Sequence, residues 1–338
     1  MHHLTRRHFV ASAGAALALP ARLRAQGSSW QRVTDAARAL PQCHALLVHQ
    51  NGSEVVAEAF RGPALGRAVP VKSVSKTVVA ALAGIAIDRG EIPSVESTIA
   101  ELAPGLVPSG ADPRVGGITV GDLLTMQTGL ERTSGANYGS WVSSTNWVRD
   151  ALSRPMVGEP GGRMLYSTGS YHVLGALLSE VSGESLLSLA RARLGAPLGI
   201  DIPAWTRDPQ GRYLGGNEMS LSLPAMVRFG EMYRQGGTWD GTRVLSRNWT
   251  DTSWEPRTRS MFSGLGYGYG WFLGRANGTG YALARGYGGQ VICVVPDLAL
   301  TLALTSDPTQ PARSEGYFGQ IMALIEDTVL PVARDSQS

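Results

Sequence analysis

Lysine is nearly absent from this chain. Of 30 Lys+Arg residues only Lys72 and Lys76 are lysine, and arginine carries the remaining positive charge. Cysteine is equally scarce, with Cys43 and Cys293 far apart in 338 residues. Two cysteines exclude a disulfide-dense scaffold and a Cys-x-x-Cys metal or redox site. They leave open either one bond or two core thiols, because spacing alone does not fix the Cα separation a disulfide needs.

Other absences narrow the chemistry. The sequence has no His-Glu-x-x-His helix, so a zinc site lacks its usual pattern and no cofactor or metal is expected. It has no Gly-x-Ser-x-Gly elbow, and beyond the amino-terminal segment its histidines are His44, His49 and His172, which read as structural rather than as triad members. Val71 stands before Lys72-Ser73 where a phosphate-binding loop needs glycine. The net charge is +3, with no basic run in the body of the chain, so nucleic acid is not an expected partner. No apolar stretch reaches membrane-spanning length, so no permanent span is expected.

What is present begins with Thr5-Arg6-Arg7-His8-Phe9-Val10, a small-residue apolar run over 11–21, and Arg22-Leu23-Arg24-Ala25-Gln26. A basic start, a short apolar centre and an alanine-rich end make a secretory leader over 1–26, and the paired arginines suggest the twin-arginine type, with export to the periplasm and cleavage near Ala25. An ordinary Sec leader or an uncleaved anchor is the alternative. Residues 27–335 then form one expected domain, large enough for a sizeable core at 43% hydrophobic content. Nothing in the sequence sets an oligomeric state.

The two lysines fall in Val71-Lys72-Ser73-Val74-Ser75-Lys76-Thr77, which runs directly into apolar residues 78–87. On a helix, residues three apart share a face, so Lys76 is expected to reach the Ser73 hydroxyl. A lysine in an apolar helix start loses charge readily, because desolvation and the positive end of the helix both disfavour the ammonium form. Ser73 thus reads as an activated nucleophile with first-turn amides placed to hold an oxyanion. A chance Ser-x-x-Lys beside a solvated lysine is the bland alternative, weakened by the rationing of lysine to this one place.

Around this helix the pattern predicts a hairpin over 44–60 turning at Asn51-Gly52, and strands over 267–273, 281–287, 290–295 and 298–305. Helical patterns start near Ile118 and cover 171–181, 223–235 and 314–329, and 95–250 shows no convincing strand. The expected class is α+β: an antiparallel sheet built from about 27–75 and 260–335, with a mainly helical part over about 76–259. Tyr166 lies in a glycine-flanked loop before a helix, placed to project its phenol into a cleft, where a nearby lysine cation would favour phenolate. Tyr267, Tyr269, Trp271 and Tyr287 suggest an aromatic strand end beside the site, with core packing the alternative for at least half of them.

Several stretches together resemble a family. Ser73-Val74-Ser75-Lys76, Tyr166-Ser167-Thr168 with Tyr171-His172-Val173-Leu174-Gly175, and Gly288-Gly289-Gln290 ending in Val295-Pro296-Asp297 follow the order of the β-lactamase-related serine hydrolases. Leu123 to Leu130 and Leu223 to Gly230 extend the likeness, which covers about 44–330. The family includes class C β-lactamases, D-alanyl peptidases, serine esterases and 6-aminohexanoate-dimer hydrolases, and the last branch looks most similar. The resemblance implies that Ser73 is the nucleophile, Lys76 and Tyr166 move its proton, and the N–H groups of Ser73 and the strand near Tyr287 bind the oxyanion. Tyr287, Gly288 and Thr168 are the implied pocket residues. Two departures stand out: Thr168 replaces the usual asparagine, and Arg285-Gly286-Tyr287-Gly288-Gly289 replaces Lys-Thr-Gly. The implied activity is acyl-enzyme hydrolysis of a small ester or amide. A D-amino-acid peptidase, a weak β-lactamase or a catalytically silent binding domain are the alternatives.

Overall fold

The computed structural model describes residues 21–337, with side chains from residue 29 onward. Residues 1–20 of the expected leader lie outside the described residues. Residues 21–26 form the first turns of a helix, α1, that spans Ala21–Ala39.

An eight-stranded antiparallel sheet forms the centre. Its strands are β1 (Cys43–Gln50), β2 (Ser53–Ala59), β3 (Thr258–Arg259), β4 (Gly266–Tyr267), β5 (Phe272–Ala276), β6 (Thr279–Gly286), β7 (Gln290–Val295) and β8 (Leu300–Ser306). Their spatial order is β2-β1-β8-β7-β6-β5-β4-β3, so strands from both chain ends meet where β1 pairs with β8. Asn51 and Gly52 both adopt positive φ, +52° and +76°, which is the backbone a two-residue hairpin turn requires.

β7 and β8 are buried at every position, so helices cover both faces of the sheet centre. Helix α2 (Val74–Asp88) and helix α4 (Leu223–Arg234) pack on the sheet, and helix α3 (Thr168–Ser182) packs against α2. Helix α5 (Tyr317–Ala323) continues through a π-turn over Leu324–Val329 into Leu330–Asp335, beyond the expected end at 329. Pro331 has no N–H to give to a helical ladder, and the wider turn before it accommodates that loss.

The sheet differs from expectation in one place. Residues 267–273 are not one strand; Tyr267 and Phe272 pair with each other as neighbouring strands around a loop. Gly270, at φ +80°, brings that loop so close to α2 that an added Cβ would stand 2.7 Å from the Ala80 Cβ. Thr77 Oγ1 donates to the Gly270 carbonyl at 2.7 Å, tying the loop to α2. The helical stretch also holds two short ladders, Val69–Pro70 with Ser220–Leu221 and Thr238–Trp239 with Thr242–Arg243. Both are too short to show alternation. Cys43 and Cys293 are buried free thiols; burial pushes the Cys43 pKa up to about 12 and that of Cys293 higher.

Candidate active site

Ser73 occupies the N-cap of α2, yet its hydroxyl accepts no capping hydrogen bond. A polar N-cap side chain ordinarily takes an amide of the first turn. Here Oγ faces Lys76 instead, whose Nζ lies 3.0 Å away. Lys76 is 2% exposed. Its Nζ also donates to the Gly216 carbonyl at 2.7 Å and reaches Thr168 Oγ1 at 3.3 Å. These partners are all neutral, so burial dominates and lowers the lysine pKa to about 7.

Tyr166 lies two residues before α3, with its ring centroid 5.0 Å from Lys76 Nζ. Burial raises its phenol pKa, while its hydrogen bond with Ser73 and the charge of Arg285 pull the other way. The expected phenolate is therefore disfavoured. A lysine that itself tends to neutrality is a weak counter-ion, and desolvation prevails.

Thr168 starts α3, and its hydroxyl is shared between Lys76 and Ser134 Oγ, the latter at 3.0 Å. Both of these partners lie inside the site, so the hydroxyl is engaged within the protein. Tyr287 is 53% exposed at the cleft mouth. Gly288 turns away: at φ +80° an added Cβ would meet the Asp307 carbonyl, and Gly286 lines the cleft in its place. A Cβ on Gly286 would come within 2.3 Å of the Val71 carbonyl, so this glycine lets the sheet edge approach the turn ahead of Ser73. Of the other aromatics proposed for the strand end, Tyr267, Tyr269 and Trp271 are buried in the core.

Arg285 reaches the same cleft from the α5 side. Its guanidinium stacks on Phe318 at 3.5 Å and donates to Ser314 Oγ and the Ala312 carbonyl. Burial lowers its pKa to about 10, which still leaves it a cation.

The cleft encloses about 520 Å³ and gathers residues the sequence did not announce. Lys72 and Glu218 form an ion pair at 2.9 Å on its wall, and both take positive φ, +52° and +66°. Asn217 adds an amide, its Nδ2 donating to Tyr138 Oη at 3.0 Å. The Gly216 carbonyl that holds Lys76 is a backbone group and has no side-chain signature. His172 is fully buried and bonded to Asp208 at 3.1 Å. Its Nδ1 accepts the Gly215 N–H at 3.4 Å, which braces the peptide next to Gly216.

Comparison with known proteins agrees with this geometry. Penicillin-binding protein 4 of Amycolatopsis lactamdurans is 25% identical over 279 residues, covering 70% of this chain and 71% of that protein. The 6-aminohexanoate-dimer hydrolase of Paenarthrobacter ureafaciens is 26% identical over 233 residues, covering 64% of this chain and 58% of its own length. Among solved structures, EstCE1, a hydrolase with promiscuous acyltransferase activity, superposes with a TM-score of 0.75 at 19% identity, covering 90% of this chain and 99% of that one. The family profile described as Beta-lactamase matches residues 30–324. That span takes in the whole central sheet, the Ser73 helix and the cleft, and on it the chain belongs to the β-lactamase family of serine hydrolases.

Proposed function

We propose that the protein hydrolyses a small ester or linear amide through an acyl intermediate on Ser73. The observation that carries this reading is the contact of the uncapped Ser73 hydroxyl with a buried lysine whose pKa is about 7. A neutral amine at this place takes the Ser73 proton as Oγ attacks the substrate carbonyl. Among the described residues the N–H groups of Ser73 and Tyr287 donate to no backbone carbonyl, and both residues line the cleft. They are the candidates for holding the oxyanion.

Tyr166, kept neutral by burial, is suited to act as the acid. It gives its proton to the departing oxygen or nitrogen and recovers one from the Lys76 network. In deacylation a water replaces the leaving group, and the same groups take its proton as it attacks the acyl carbonyl. One relative is named a 6-aminohexanoate-dimer hydrolase and one structural neighbour a hydrolase with promiscuous acyltransferase activity, and both names suit this reading.

We also propose export through the twin-arginine route, on the strength of Arg6-Arg7 ahead of a short apolar run. Replacing both arginines by lysine should hold the precursor inside the cell; normal export with Sec dependence would contradict it. For the chemistry, p-nitrophenyl butyrate hydrolysis by the wild type and by Ser73→Ala is the test. Turnover that persists in the alanine variant would contradict the assignment.

A further inference from the structure

Residues 215–218 are tied down one after another. The Gly215 N–H donates to His172 Nδ1 at 3.4 Å, and the Gly216 carbonyl accepts from Lys76 Nζ at 2.7 Å. Asn217 Nδ2 donates to Tyr138 Oη at 3.0 Å, and Glu218 pairs with Lys72 at 2.9 Å. The first two residues have no side chain to fix them. Gly215 and Gly216 lie so close to α3 that an added Cβ would stand 2.1 Å from the Tyr171 carbonyl and 2.9 Å from that of Thr168. Two adjacent glycines give the backbone its widest conformational choice, so contacts must set the direction of the Gly216 carbonyl.

His172 supplies the contact at Gly215. It stands one turn after Thr168 on α3, so one helix face carries both the hydroxyl that meets Lys76 and the imidazole. Asp208 fixes the ring. Its Oδ1 accepts the Gln210 and Arg212 N–H groups at 2.9 and 2.8 Å, and its Oδ2 faces His172 Nε2 at 3.1 Å. An imidazole with a carboxylate at Nε2 and an N–H donor at Nδ1 carries its one proton on Nε2. Burial keeps the ring neutral against the pull of Asp208, and the charge of Arg212 acts in the same sense as burial. Trp141 and Trp147 stand edge-on to the ring, with centroids 5.8 and 5.6 Å away. Apolar side chains would fill that space at lower desolvation cost, so packing alone does not account for the pair.

We infer that His172, oriented by Asp208, is a positioning residue: it fixes the Gly215–Gly216 backbone so that the Gly216 carbonyl meets Lys76 Nζ and aims the amine at Ser73. The inference rests on the proposed serine chemistry, because the lysine so aimed is the base of that reaction. His172 itself touches no reacting atom.

The test uses the purified full chain with Asp208→Asn and, separately, His172→Gln. In Asp208→Asn the amide oxygen keeps the two backbone donors, so its NH2 group faces Nε2. The ring proton then moves to Nδ1, where it confronts the Gly215 N–H. His172→Gln keeps a donor for Asp208 and loses the acceptor for Gly215. Each variant should lower kcat for p-nitrophenyl butyrate by about tenfold or more with KM little changed, the scale of one buried donor left without its acceptor. With its closest acceptor displaced, the ammonium form of Lys76 is less favoured, so the acid limb near 7 should move to lower pH. Unchanged kcat in both variants, or a lowered kcat with the limb unmoved, overturns the inference and leaves the esterase reading to the Ser73→Ala result. Nitrogen-15 NMR of the histidine-labelled wild type decides the matter if neither variant folds. One ring should be neutral, protonated on Nε2 and free of titration between about pH 5 and 8. The absence of such a ring overturns the inference.

Discussion

The carbonyl of Gly216 holds Lys76 Nζ at 2.7 Å, while no carboxylate hydrogen-bonds that nitrogen. A neutral acceptor orients the lysine while stabilising its charge far less than a carboxylate would. Burial therefore prevails and its pKa falls to about 7, so a large share of the side chain is unprotonated at neutral pH. A carboxylate in the same place would orient it equally well and keep it protonated.

Activity should accordingly rise with pH through an acid limb near 7, set by loss of the Lys76 proton. The profile of kcat/KM for a short p-nitrophenyl ester reads it directly. Lys76→Arg should lower kcat by about a thousandfold or more, because a guanidinium does not deprotonate in a protein. A substantially active arginine variant would remove the lysine from the role of base.

The same proton affects stability, and the sign follows from the direction of the shift. The unfolded chain holds the Lys76 proton up to about 10.5 and the folded chain up to about 7, so folding releases it between those values. Stability contributed by this site should rise with pH across that window and be lowest below it. The difference in melting temperature between the wild type and Lys76→Met, followed from pH 6 to 9, should shift in favour of the wild type as pH increases. A constant difference would mean that the lysine does not titrate in that range.

Lys72 and Glu218 both adopt left-handed backbone, and their ion pair bridges the turn before Ser73 to the loop that carries Gly216. Their side chains are 20% and 29% exposed, so the pair is worth at most about 1 kcal/mol in stability. Its larger effect is positional. Glu218→Gln should lower kcat severalfold with little change in KM, and Lys72→Met should do the same. A rise in KM alone would assign the pair to substrate contact.

Gly286 tests how closely the sheet edge must approach the nucleophile. With a Cβ 2.3 Å from the Val71 carbonyl, Gly286→Ala must displace either β6 or the turn ahead of Ser73. The expected cost is about 1–3 kcal/mol in stability together with a loss of kcat. Retention of both would show that the edge moves freely.

Substrate choice should follow the polar contacts. The Thr168 hydroxyl is engaged by Lys76 and Ser134, and the remaining cation of the strand, Arg285, is engaged by Ser314 and Ala312. A site built for a polar contact discriminates strongly against ligands that leave it unmade. p-Nitrophenyl acetate or butyrate should therefore be hydrolysed with a higher kcat/KM than a chromogenic cephalosporin. The reverse order would show that Thr168 and the missing Lys-Thr-Gly are no barrier.

What could be read from the sequence was what residue type and period encode. Asn51-Gly52 announced the hairpin by its required φ angles, the apolar run after Ser73 announced a buried helix, and rationed lysine singled out Lys76. What could not be read depends on backbone placed by distant packing. The Gly216 carbonyl, the turn of Gly288 toward Asp307, and the loop that divides Tyr267 from Phe272 have no local pattern to reveal them. The phenolate expectation for Tyr166 failed for a related reason, because charge was legible and depth of burial was not.

The account stands most directly on one measurement: reaction of the purified protein with a fluorophosphonate, followed by mass mapping of the modified residue. The predicted result is a single adduct on Ser73, absent from Ser73→Ala and slowed as pH falls below about 7 with protonation of Lys76. Labelling of a different residue, or labelling that persists undiminished in the alanine variant, would contradict it.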